Sequence, residues 1–231
     1  TCALPISWKR GLHRRIANRL HEGWIEGHVE ASEVAIHLDA AREGERAAEM
    51  YEAAGDRAWA DAEFGRAHGH YRAALEEASS GPTHSYLASK QARVLLTLYE
   101  TEASKEMIDS AGESAERTGL DWLLNAVCLT GARLALTRGE DAEVERWSSR
   151  LEDVLPSASQ QAPALELRAG VARRRGAFDR AETLLEQAVR RAQHFGQRER
   201  LARLLARRAE IHDWMGELED ADRLFGQAQR A

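Results

Sequence analysis

A chain of 231 residues with 43% hydrophobic residues can bury a sizeable core, as one large domain or two small ones. Its net charge of −6 without a dense basic stripe argues against nucleic-acid binding, and no run of about 18 apolar residues exists to span a membrane. Cys2 and Cys128 offer neither a metal-ligand spacing nor a disulfide framework, which points to a reducing cytoplasm.

Thr1–Ser7 lacks the charged start and the apolar length of a signal peptide, and is expected to be a non-native leader of the kind a cloning scar leaves. Helical periodicity then dominates, and no stretch alternates as a strand would. The spacing predicts helices near 8–22, 29–42, 46–54 and 57–79, followed by helix hairpins at 84–111, 122–152, 162–194 and 198–231. Only Pro5, Pro82, Pro156 and Pro163 interrupt this pattern. Ser79–Pro82 and Leu155–Ser159 are the expected bends between subarrays. The expected organisation is therefore a leader (1–7), a helical junction with a first repeat (8–80) and a repeat array (81–231). The last helix reaches Ala231 without a polar cap, and the chain is expected to be a fragment on that ground.

A longer period underlies the helices. Gly176-Ala-Phe-Asp-Arg-Ala181, followed by Leu184, Leu185 and Ala188, superposes on Gly216-Glu-Leu-Glu-Asp-Ala221, followed by Leu224, Phe225 and Ala228. The same frame runs through positions 67, 103, 144, 181 and 221, at steps of 36, 41, 37 and 40 residues. A period of this length with one break per unit is the signature of a helix–turn–helix repeat array. Gly139, Gly176 and Gly216 each follow an amphipathic helix and are expected to end it in the left-handed conformation. Ala67, Ala103, Ala181 and Ala221 are expected to pack where the helices of a pair cross.

The pattern Gly-x-x-x-x-Ala-x-x-x-bulky-x-x-Ala resembles the second half of a tetratricopeptide repeat. It recurs four or five times across about 165 residues. The Trp, Leu-Gly and Tyr positions of that repeat's first helix are mostly replaced here, and the units are longer than usual. The resemblance implies an all-α fold, an α-solenoid of antiparallel helix pairs in a superhelix. A second resemblance covers residues 8–80 through Leu12–Leu20, Ala35–Ala41, Ala47–Ala58 and Ala67–Leu75. These segments are similar to the junction that follows the ATPase and winged-helix parts of large bacterial signal-transduction ATPases. Those include LuxR-type transcriptional activators, and a similar segment occurs in multidomain adenylate cyclases. It implies a regulatory array that binds a protein or peptide, its own ATPase or cyclase domains included.

No catalytic chemistry follows from the residues, so the chain reads as a non-enzyme that needs no cofactor. A Gly-x-x-x-x-Gly-Lys-[Ser/Thr] loop is absent, and no two of the nine histidines stand at i, i+4. Paired carboxylates such as Glu76-Glu77 lack an apolar pocket, and Ser157 and Ser159 lack a His and Asp arrangement. Trp122, Trp147 and Trp214 are expected to wedge between helices. One constellation stands out: the repeat frame puts Arg133, Arg173, Arg174, Arg203 and Arg207 on the face lined by the first helices of the units. Guanidinium forks there could take an acidic peptide or ligand, or could pair with Glu166, Glu199 and Glu210 of the chain itself. Residues 165–231 carry 14 Lys and Arg against 11 Asp and Glu, a surplus of +3, which leaves −9 on the remainder. That asymmetry allows self-association and disfavours a helical-repeat RNA binder, which needs a basic groove.

Overall fold

The computed structural model describes residues 6–154 and 162–231. Among them lie twelve α-helices and no strand. The helices are α1 (Ile6–Ile25), α2 (Ala31–Ala40), α3 (Gly44–Ala60), α4 (Phe64–Glu77), α5 (Pro82–Thr97), α6 (Thr101–Thr118), α7 (Asp121–Arg138), α8 (Asp141–Val154), α9 (Ala162–Arg174), α10 (Phe178–His194), α11 (Arg198–Met215) and α12 (Leu218–Arg230). Two compact units divide between Thr118 and Gly119, the first holding α1–α6 and the second α7–α12. Within each unit successive helices fold back as antiparallel pairs, and each pair packs on the next through α2 and α3, α4 and α5, α8 and α9, or α10 and α11. The fold class is an all-α helical-repeat solenoid.

One turn closes the pairs. Gly139, Gly176 and Gly216 adopt φ of 83°, 73° and 81°, as their position after an amphipathic helix predicts. The next residue's amide then reaches back to the carbonyl of Ala135, Ala172 or His212, at 2.9 Å each. This double reversal satisfies carbonyls that the helix end leaves open. Ala62 (φ 58°) and Tyr99 (φ 65°) make the same turn without being glycine, with Glu63 and Glu100 donating to Ala58 and Leu95.

The turn sets a common register. The fourth residue of each second helix is Val34, Ala67, Ser104, Val144, Ala181 or Ala221, and none is more than 3% exposed. Four residues later come Leu38, Tyr71, Ile108, Ser148, Leu185 and Phe225, on the same side of the helix. In the second unit the α9–α10 and α11–α12 pairs share a continuous apolar core in which Ala169, Ala181, Leu185, Ala188, Leu204, Ala209, Ile211 and Leu224 meet. Each fully buried Leu or Ile in it contributes roughly 1.5–3 kcal/mol.

The structure departs from the sequence reading at several points. The break expected near Gly55 lies at Asp61–Glu63, and α3 runs straight through Gly55. That glycine is a notch: a Cβ on it would stand 2.6 Å from Cε1 of Tyr71. In the third pair the fully buried position is Ser104, whose hydroxyl donates to Ala92 O at 2.9 Å, while Ala103 is half-buried. Ser79–Pro82 joins α4 to α5, and Pro82 is the first residue of α5, where its missing N–H costs no hydrogen bond. Leu155–Ser159, with Ser157 and Ser159, lies outside the described residues, as do residues 1–5 of the expected leader; Ile6 and Ser7 open α1.

Candidate partner-binding face

In the second unit the first helices α7, α9 and α11 are tied to one another by specific contacts. Gly170 of α9 admits the Leu136 side chain of α7, since a Cβ there would stand 2.8 Å from Leu136 Cδ2. Arg174 Nη1 donates to Leu136 O at 2.6 Å and its guanidinium also pairs with Asp141, which Arg175 joins at 2.6 Å. Arg174 thus bonds the end of α7 and the start of α8. Glu166 of α9 then reaches α11 through an ion pair with Arg207 at 2.8 Å.

Around that pair the cationic residues gather. Arg203 is exposed one turn before Arg207. Arg200, which sequence reasoning passed over, is half-buried. Burial lowers its pKa, the Glu166 carboxylate raises it, and neighbouring Arg203 lowers it again. Arg200, Arg203, Arg207 and Glu166 are therefore one electrostatic cluster. Arg173 is exposed at the end of α9 and Arg133 is half-buried on α7. Glu199 contributes to the field at Arg200, and Glu210 is exposed. The arginine–glutamate pairing that the sequence allowed thus occurs at Glu166, between helices rather than along one.

No protein-family model matches the chain, and no curated protein sequence matches it either. Solved structures do. The chain is similar to BtubC (BKLC) from P. vanneervenii, with a TM-score of 0.64 and 15% identity over 99% of this chain and 91% of that one. It is similar to a signal transduction ATPase with numerous domains that carries a tetratricopeptide repeat sensor, from Pyrococcus horikoshii. The TM-score there is 0.66 at 11% identity, over 97% of this chain and 34% of that protein. It is also similar to YrrB, a tetratricopeptide-repeat protein with an unusual peptide-binding site, with a TM-score of 0.53 and 16% identity over 78% and 84% of the two chains. The fold is that of a tetratricopeptide-repeat array.

In this array the first helices of the other unit carry a different set of bonds. Lys90 of α5 reaches Asp56 of α3 with both carboxylate oxygens in range, at 2.7 and 2.8 Å, and bonds Glu52 as well. Burial would lower the Lys90 pKa, but the bonds to Asp56 and Glu52 outweigh it and hold it raised. Tyr71 donates its hydroxyl to Asp56 at 2.6 Å, and Lys90 Nζ lies 4.9 Å from the Tyr86 ring centre. Periodicity alone could not find this knot, because its members are separated by up to 38 residues.

The aromatic expectation holds in part. Trp147 wedges against Gly131, where a Cβ would stand 2.8 Å from the ring. Trp122 and Trp214 are largely exposed instead, because their positions face outward in the register that buries Leu123 and Ile211. One histidine group brings metal-type ligands within 4.8 Å among the described residues: His212, Glu217 and Asp220. Its atoms are bonded internally, His212 Nδ1 facing Glu217 at 2.6 Å, Nε2 facing Glu182 at 3.3 Å, and Arg223 holding Asp220. No described helix is long and apolar enough to cross a membrane.

Proposed function

We propose that this array is a protein-interaction and regulatory module of a multidomain bacterial signalling ATPase or transcriptional regulator, and that an acidic segment of a partner or of the parent protein docks on α9 and α11. The observation that carries the reading is the Glu166–Arg207 pair with Arg200 and Arg203 around it. Glu166 is an internal carboxylate on a fork whose neighbours are cationic, and a ligand carboxylate can take its place on Arg207 while Arg203 and Arg173 bind further acidic groups. The similarity to a tetratricopeptide sensor of a signal transduction ATPase, and to a peptide-binding repeat protein, supports the same reading.

The test compares the wild-type chain with a variant in which Arg173, Arg203 and Arg207 are all Ser, using a fluorescent Glu-rich peptide at low and high salt. Binding should weaken as salt rises, because exposed charges are screened over about 10 Å at 0.1 M. It should be lost in the variant at unchanged helix content. Equal binding by both proteins would reduce these arginines to a solvated face.

A further inference from the structure

The α3–α4 pair departs from the later pairs at two places in the repeat register. In those four pairs the residue five before the left-handed turn position is Val94, Leu134, Val171 or Ile211, and the residue eight after it is Met107, Trp147, Leu184 or Leu224. Val94, Leu134, Ile211 and Leu224 are 4% exposed or less. Counted from Ala62, the same two positions are Arg57 on α3 and His70 on α4. His37, three residues after Val34 as His70 is three after Ala67, faces His13 instead, Nδ1 to Nδ1 at 2.8 Å. Arg57 and His70 line a cleft of about 100 Å³ between the start of α2, the end of α3 and the start of α4, with the buried Ala54 and Ala58 also in its wall. Two positions that are apolar in the later pairs thus become part of a polar recess within the first unit.

The recess carries both signs of charge. Arg57 pairs with Asp61 at 2.8 Å and Arg66 with Glu63 at 2.5 Å, each pair within one helical turn and exposed, so both can open to a ligand at little cost. Asp61 first, and Glu30 after it, raise the Arg57 pKa, which puts the Glu30 carboxylate on the same guanidinium. Burial and then the Arg66 charge lower the pKa of His70, so its ring is neutral at pH 7 and offers one donor and one acceptor. A lone anion here meets three carboxylates and a lone cation two guanidiniums, whereas a molecule with both charges satisfies both sets. The volume is well below the roughly 300–1,000 Å³ of a pocket for a drug-sized ligand, which limits the occupant to a few heavy atoms. We propose that this recess binds a free α-amino acid with a small side chain, its carboxylate on Arg57 and Arg66 and its ammonium among Glu30, Asp61 and Glu63. The site shares no residue with the arginine cluster of α9 and α11.

The probe is L-alanine, titrated into the full chain and followed by the NMR shifts of the backbone amides of residues 57–70. A saturable shift is expected, and propionate and ethylamine, which each keep one of its two charged groups, should bind at least about tenfold more weakly. Arg57→Gln and Glu30→Gln, both at exposed positions, should each weaken L-alanine by at least about tenfold. His70→Leu supplies the residue of the two last pairs and should abolish the response without lowering the thermal midpoint. Replacing Arg173, Arg203 and Arg207 by Ser should leave it unchanged. The proposal is overturned if L-alanine gives no saturable shift, if propionate or ethylamine alone binds as tightly, or if the His70→Leu chain responds as the wild type does.

Discussion

Tyr71 and Gly55 occupy adjoining space so tightly that a methyl group on Gly55 would stand 2.6 Å from one ring carbon and 2.8 Å from the next. The Tyr71 ring cannot swing away freely, because its hydroxyl is held on Asp56 and its position is fully buried. Gly55→Ala should therefore destabilise the first unit by about 1–3 kcal/mol, although alanine is the better helix former by about 1 kcal/mol. Urea denaturation reads the sign directly, and a more stable variant would mean the ring yields.

The opposite sign is expected at Tyr99. It holds φ of 65° at the α5–α6 turn with its side chain 86% exposed, so the residue contributes strain and little packing. Tyr99→Gly should stabilise by roughly 0.5–1 kcal/mol, the left-handed penalty of an L-residue less the added freedom of glycine when unfolded. A rise in thermal midpoint checks it, and Ala62→Gly at the equivalent turn should behave alike.

The Lys90 knot makes the first unit sensitive to alkali. The Lys90 and Tyr71 pKa values both lie above their ordinary 10.5 and 10.0, Tyr71 because burial and then the bond and charge of Asp56 disfavour its phenolate. A group with a raised folded value stabilises fully below its unfolded value and loses that contribution as pH rises through the folded one. Stability should thus be flat from neutral pH to about pH 10 in this respect and fall above it. Lys90→Met should cost about 1 kcal/mol at pH 7, since it leaves the part-buried Glu52 and the more exposed Asp56 without their shared cation. Its alkaline decline should be shallower than that of the wild type in melts taken across pH 8–11.

Ala181 and Ala221 offer a test of the repeat register. Both are almost completely buried at the fourth position of their helices. Replacing either by Leu should overpack the pair and cost roughly 1–3 kcal/mol. Ala181→Leu should be the more damaging, since Ala181 belongs to the apolar core that the α9–α10 pair shares with the α11–α12 pair. Unchanged melting of both variants would place those alanines in solvent.

The sequence by itself determined the helical class, the repeat length and the glycine turns at 139, 176 and 216, because each depends on residues within one helix and its end. It also placed Ala67, Ala181 and Ala221 in the buried register, since small residues recur there at the repeat spacing. Only the tertiary structure decided what Gly55 is for. A glycine that ends a helix and a glycine that admits a ring look alike in sequence, and the difference lies in Tyr71, sixteen residues away on another helix. The slip from Ala103 to Ser104 has the same origin: Tyr99 makes the turn without a glycine to mark it, and the frame loses its reference there. Among the arginines, local pattern put Arg174, Arg203 and Arg207 on equal terms. Stacking separated them, because it brought Leu136 and Asp141 to Arg174 and Glu166 to Arg207, and left Arg203 exposed beside the half-buried Arg200.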